Sequence, residues 1–183
     1  MQRDEAVSLV KEYVKRENLF KHILAVEAIM RGLARHFGED ENRWALVGLL
    51  HDVDFEKTMD EPSKHALMAE EILKGKVDEE IIETIKAHNY EHTGVEPKTR
   101  MAKALIAADA VSGLIVAAAL VMPSKKLSNV KLETLEKKFK QKDFARNCNR
   151  ERILFCEKIG VDKKEFLKIA LSALQSISEE LGL

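Results

Sequence analysis

Apolar residues recur along this chain at intervals of three and four, and no segment alternates apolar and polar positions for long. That period is helical, because every third or fourth side chain returns to one face of an α-helix while a strand returns every second. The expected fold is therefore all-α, a single-domain helical bundle. Residues 4–16 form the first expected helix, with Asp4 as its cap and Ala6, Leu9, Val10, Tyr13 and Val14 on one side. A second runs from Leu19 to Phe37, with its apolar stripe at positions 19, 23, 26, 30, 33 and 37, and is closed by Gly38. His22 stands beside that stripe, and His36 falls where a cation suits the helix C-terminus. Residues 42–51 make a third helix that is apolar nearly all round, as a central element would be; it carries Trp44 as a core anchor and ends on the pair His51-Asp52.

Residues 53–62 hold acids, a lysine and a proline and are expected to form a connecting loop. Ser63 offers a cap for a fourth helix, on which His65, Ala69, Ile72 and Leu73 share a face. Asp78 caps a fifth, in which Ile81, Ile85 and His88 follow i, i+4, i+7 spacing, so His88 points inward at its C-terminal end. His92 lies a turn further on, past the helix end, and is left outside the site. From about Thr99 to Met122 runs a long apolar helix whose only charge after Lys103 is Asp109. Its length suits a membrane span, but the internal Asp109, the adjacent Ser112 and Gly113 and the many alanines argue for a buried central helix. A charged, lysine-rich stretch at 129–147 is followed by two amphipathic helices, 149–158 and 163–181, that close the bundle. The expected organisation is one domain, 1–183, with a core at 19–122 and closing helices at 123–183.

Composition narrows the partners. Apolar residues make up 45% and charged residues 33%, the balance of a folded globular chain. Thirty Lys plus Arg against thirty-one Asp plus Glu leave a net charge of -1, so neither duplex nucleic acid nor a membrane is expected as a partner. A homodimer is compatible with this surface. The thiols Cys148 and Cys156 are not in a metal-binding spacing and suit a reducing compartment. The first residues lack the layout of a signal peptide, so the expected location is the cytoplasm.

Helical periodicity turns six polar residues inward: His22, His51, Asp52, His65, His88 and Asp109. An inward histidine alone is more often hydrogen-bonded to backbone than a ligand, but six convergent groups exceed what packing needs. Asp109 is the sharpest case: an ionised carboxylate in an apolar helix costs several kcal/mol unless paired or coordinated, and no basic residue sits one turn away. Neutral imidazole and carboxylate are both good ligands for divalent cations, so a metal is the economical compensation.

The order His22, then His51-Asp52, then Asp109, each on a helix, resembles the HD-domain superfamily of metal-dependent phosphohydrolases, and His65 and His88 resemble the additional histidines of its two-metal subset. The resemblance covers roughly residues 19–122. It implies a bundle of the HD-domain type in which His22, His51, Asp52 and Asp109 hold one metal and Asp52 bridges to a second held by His65 and His88. The expected cofactor is a divalent metal, two ions of Mn, Fe, Mg, Co, Ni or Zn. Cyclic-dinucleotide phosphodiesterases of this superfamily follow the doublet with Gly-Lys and carry adjacent histidines later; here the text is Val53-Asp54-Phe55 and His88-Asn89.

Two cations sharing a carboxylate acidify a water and neutralise phosphate oxygens, so the expected activity is hydrolysis of a small phosphoester such as a nucleotide. Asp54 and Glu56 are the candidate general acids or bases, and Lys57, Lys64, Arg146 and Arg150 the candidate phosphate contacts. The competing expectations are a di-iron oxygenase with the same ligands and a nucleotide-sensing module that binds without turnover.

Overall fold

A computed structural model describes residues 1–183 as helices joined by short turns, with no strand. The α-helices are α1 (Arg3–Tyr13), α2 (Glu17–Phe37), α3 (Glu41–Leu50), α4 (Phe55–Thr58), α5 (Leu67–Leu73), α6 (Glu79–His88), α7 (Tyr90–Thr93), α8 (Arg100–Leu120), α9 (Leu132–Lys140), α10 (Arg150–Ile153), α11 (Lys163–Ser176) and α12 (Ser178–Leu181). Short 3₁₀ segments occupy Pro62–Lys64, Leu127–Asn129 and Leu154–Ile159.

The centre of the molecule is the stack of α3, α2 and α8. α3 buries Trp44, Ala45, Val47, Gly48, Leu49 and Leu50, which cover its whole circumference, and it is packed between α1, α2 and α6. Gly48 sets its distance from α2: a Cβ there would lie 2.9 Å from the backbone N and Cα of Glu27 and from the carbonyl oxygen of Val26. α8 is buried along most of its length, with α2, α6, α9 and the turns around α10 against it. Its alanines allow those elements to approach, and it is the one helix long and apolar enough to cross a membrane by length and composition.

Capping explains most of the boundaries. Asp40 accepts from Asn42 and Arg43, Asp78 from Ile81 and Thr99 from Ala102, while Gly38 ends α2 at φ 70°. Several expectations are corrected. Asp4 lies inside the first turn of α1, whose cap is Gln2, and the helix ends at Tyr13 because Val14 is extended. Segment 53–62 is not plain loop but contains α4, and Ser63 caps nothing, because it sits in a 3₁₀ turn and α5 starts only at Leu67. The cap of α5 comes instead from Asp54, whose Oδ2 accepts from Ala66 N at 2.8 Å and Ala69 N at 3.0 Å. His65 therefore precedes the helix rather than lying on its face. Towards the C-terminus the helix expected at 149–158 is only α10 and a 3₁₀ turn, and the one expected at 163–181 breaks after Ser176.

Candidate metal centre

Five segments deliver the six inward residues to one place. His22 comes from the second turn of α2, His51 closes α3 with Asp52 directly after it, His65 follows the 3₁₀ turn, His88 ends α6, and Asp109 sits midway along α8. Asn89 fastens the fourth segment to the third, its amide donating to the carbonyl oxygen of His65 at 2.9 Å.

The donor atoms form two triads that share Asp52, His22–His51–Asp52 and Asp52–His65–His88, each with its atoms within 4.8 Å of one another. Asp52 Oδ1 lies 3.4 Å from His51 Nε2, 3.3 Å from His65 Nε2 and 3.7 Å from His88 Nε2, while its Oδ2 is 3.6 Å from His22 Nε2. Asp109 Oδ1 is 3.3 Å from His22 Nε2 and 4.0 Å from His51 Nε2. His51 is fully buried and Asp52 is 6% exposed, whereas the side chains of His22 and Asp109 are 26% and 27% exposed, so the centre opens on their side.

Every one of the four rings is held from behind through Nδ1. His51 Nδ1 donates to Gly48 O at 2.7 Å and His88 Nδ1 to Ile85 O; a carbonyl only accepts, so both protons are on Nδ1. His65 Nδ1 meets Asp54 Oδ1 at 2.9 Å. His22 Nδ1 meets Ser112 Oγ at 3.1 Å, and that hydroxyl donates onward to Asp109 O at 2.8 Å, leaving it free to accept from the ring. The common result is a set of Nε2 lone pairs aimed inward, the tautomer a metal ligand requires, with outer partners that fix ring orientation. His51 Nε2 is buried with no hydrogen-bond partner, an arrangement that costs about 1–3 kcal/mol if nothing binds there. The residues present thus fit a divalent cation.

Burial and charge divide the protonation behaviour. Burial is the main influence on His51 and lowers it to about 4, against the opposing pull of Asp52. For His65 burial also opposes the charged form, but the hydrogen bonds and charges of Asp52 and Asp54 outweigh it and raise the ring to about 10. His22 is raised in the same way, Asp109 overcoming burial. Burial pushes both carboxylates up, yet the surrounding imidazoles hold Asp109 at about 2 and Asp52 well below its usual range.

Most of the other expected site residues make contacts away from the cluster of donor atoms. Asp54 is fully buried, and its oxygens accept from Ala66 N and Ala69 N and meet His65 Nδ1, so it orients a histidine and caps a helix. Glu56 Oε1 accepts from Lys15 N at 2.9 Å and Arg16 N at 2.6 Å and closes the α1–α2 turn. Lys57 lies over the ring of Tyr13, and Lys64 pairs with Glu61. Arg150 donates to six backbone carbonyls, of Lys138, Phe139, Gln141, Phe144, Ala145 and Cys148, and so organises the turn before α10. Arg146 is exposed on that turn.

The sequence reading missed Arg152. Its Nη2 lies 3.6 Å from Asp109 Oδ2 and donates to His88 O at 2.6 Å. A partner for Asp109 was sought one turn away on the same helix, and it comes instead from α10, forty-three residues along the chain.

The chain resembles ribonuclease Y from several bacteria. It is 33% identical to the protein of Oleidesulfovibrio alaskensis over 98 residues, 53% of this chain and 18% of that one. With ribonuclease Y of Thermoanaerobacter pseudethanolicus it shares 29% over 171 residues, 90% of this chain and 33% of the relative, and with that of Chloroflexus aurantiacus 29% over 172 residues, 90% and 32%. The chain thus spans a third or less of the length of these curated relatives. No solved structure matches. The family model described as HD domain matches residues 19–114, the stretch that carries all six inward residues, and the chain belongs to the HD domain family.

Proposed function

We propose that the chain is a phosphohydrolase that works with two divalent cations, one held by His22, His51, Asp52 and Asp109 and the other by Asp52, His65 and His88. The observation that carries this reading is the buried, unpartnered Nε2 of His51 beside a carboxylate shared by two triads. Cations bound there supply an acidified water near neutral pH and neutralise charge on a phosphoester. The chain's own residues do the rest. Gly48, Asp54, Ile85 and Ser112 lock the four rings in one tautomer, Asp52 stays ionised, and burial of the His51–Asp52–His88 side keeps bulk water to the open face at His22 and Asp109.

The substrate we favour is a small phosphoester such as a mononucleotide. A cavity of about 420 Å³ borders His22 and Ser112 on the outer, Nδ1 side of that ring, and none of the other five inward residues lines it, so the preference for a small substrate rests on charge rather than on this cavity. The net charge of -1 gives the chain as a whole no field that attracts a long polyanion, although lysines gather over 131–142. The likeness to ribonuclease Y supports a second reading, cleavage of a phosphodiester in RNA. Incubation of the Mn²⁺-loaded protein with mononucleotides, aryl phosphoesters and a labelled single-stranded RNA separates the two. Release of phosphate or nucleoside from small substrates, lost in Asp52→Ala, is the expected result. Cleavage of RNA alone favours the second reading, and full activity in Asp52→Ala or in thoroughly chelated protein overturns both.

A further inference from the structure

Asp52 and Asp109 bring two negative charges to the centre, which a single divalent cation cancels. Two such cations would leave the centre net positive, and a phosphate group approaching through the open face at His22 and Asp109 would still be oriented by hydrogen-bond donors of the protein there. Of the cations expected from the sequence, Lys57 is on Tyr13, Lys64 is on Glu61 and the Arg150 guanidinium is enclosed by carbonyls, while Arg146 is exposed and makes no ion pair with the centre.

Arg152 differs from all of these. Among the lysines and arginines, it is the one whose side chain pairs with a carboxylate of the centre, and it is 16% exposed, recessed yet reachable. Its contacts with Asp109 Oδ2 and with Glu91 Oε2 are both 3.6 Å, too long for hydrogen bonds. The donation to His88 O is its one hydrogen bond, so most of a five-donor fork remains unused at the mouth of the site.

We propose that Arg152 is the anion-binding residue of this centre, taking a phosphate or phosphoester oxygen with the donors it now turns towards Asp109 and Glu91. The assignment rests on the phosphohydrolase reading. It also places anion recognition outside residues 19–114, in a segment added to the metal-binding helices. The planar fork matches two phosphate oxygens at once, which a lysine cannot do. The competing role is purely positional, steadying Asp109 and His88, and that role would be felt in metal affinity.

The test is calorimetric titration of inorganic phosphate into Mn²⁺-loaded full-length chain, with Mn²⁺ affinity measured separately. Arg152→Gln is expected to weaken phosphate binding by about 10- to 100-fold, the scale of a charge-assisted bidentate contact, while Mn²⁺ affinity stays within about threefold. Phosphate affinity within about twofold of wild type overturns the assignment, since a lost bidentate pair cannot be that small. A parallel fall in both affinities overturns it in favour of the positional role, and so does a wild-type chain that binds no phosphate. If Arg152→Gln does not fold, Arg152→Lys decides: it keeps the charge without the fork, and about three- to tenfold weaker phosphate binding is expected, with no change overturning the proposal. Turnover is read independently, so phosphate binding that depends on Arg152 in a protein that hydrolyses nothing retires the hydrolase reading and leaves this one standing.

Discussion

The Nε2 atoms of His65 and His88 face each other across 3.0 Å. Both rings already donate through Nδ1, to Asp54 and to the carbonyl of Ile85, so both Nε2 atoms would present lone pairs to the same space. Two lone pairs at that distance repel unless a positive charge lies between them. Asp52, with Oδ1 3.3 Å and 3.7 Å from the same two nitrogens, adds negative charge to the gap. A proton on His65 satisfies the arrangement in part; a divalent cation satisfies all three groups together.

If that gap is one of two metal positions, His88→Ala removes it and leaves the His22–His51–Asp52 triad intact. Elemental analysis after loading with Mn²⁺ and dialysis is expected to give about two ions per wild-type chain and about one in the variant, because the triads share only Asp52 and the loss of His88 leaves the ligands of the other intact. One ion in both proteins would show that Asp52 serves a single cation and that the His65–His88 pair is held by a proton.

Asp54→Asn tests whether the residue behind His65 governs the centre. The amide keeps the shape, but its NH₂ must oppose either the backbone N–H groups of Ala66 and Ala69 or the Nδ1–H of His65, all now served by a carboxylate. One buried donor left unpaired costs about 1–3 kcal/mol, so the melting temperature falls. Loss of the ring's outer partner is expected to weaken binding of one metal ion by about 10–100-fold, read by competition with a chromogenic chelator. An unchanged affinity would reduce Asp54 to a helix cap.

What the sequence made legible follows the range of the interactions involved. His22, Ile85 and His88 were placed correctly because helical period alone decides which way they face. Asp78 and Gly38 were readable for the same reason, being local caps. The contacts of Asp54, Glu56 and Arg150 were not legible because their partners are distant in sequence or are backbone groups, which carry no residue identity: Asp54 meets Ala66 and Ala69, Glu56 meets Lys15 and Arg16, and Arg150 gathers six carbonyls. Acidic residues after a His-Asp doublet look catalytic until a cap that Ser63 fails to provide is found to need one of them. Arg152 was hidden by the same limit, since its link to Asp109 spans two elements.

Asp78 provides a pH dependence with a definite sign. Its hydrogen bonds and ion pair with Arg43, together with the backbone N–H of Ile81, hold the carboxyl below its usual 3.8. A carboxyl lowered on folding adds stability that is fully present above its unfolded value and is lost as pH falls through the folded one. Wild type is therefore expected to melt above Asp78→Asn at pH 7, with the gap closing as pH drops below about 4. The effect is modest because both side chains are partly exposed, and a gap that stays constant down to pH 2 would assign it to capping geometry rather than charge.

Gly48→Ala connects packing to the centre. The new methyl would sit 2.9 Å from Glu27 N and Cα and from Val26 O, all backbone atoms that cannot rotate aside, so α3 must move off α2. Overpacking of this kind costs about 1–3 kcal/mol, against which the better helix propensity of alanine returns at most about 1 kcal/mol. The displacement falls directly on the site, because α2 carries His22, α3 ends at His51, and the carbonyl that orients His51 belongs to Gly48 itself. Thermal melts with and without Mn²⁺ are expected to show a lower melting temperature in the variant and a smaller gain on adding metal, since the gain scales with affinity. If the variant melts lower yet gains as much from Mn²⁺ as wild type, the α2–α3 spacing supports the fold but does not set the geometry of the His22–His51 pair.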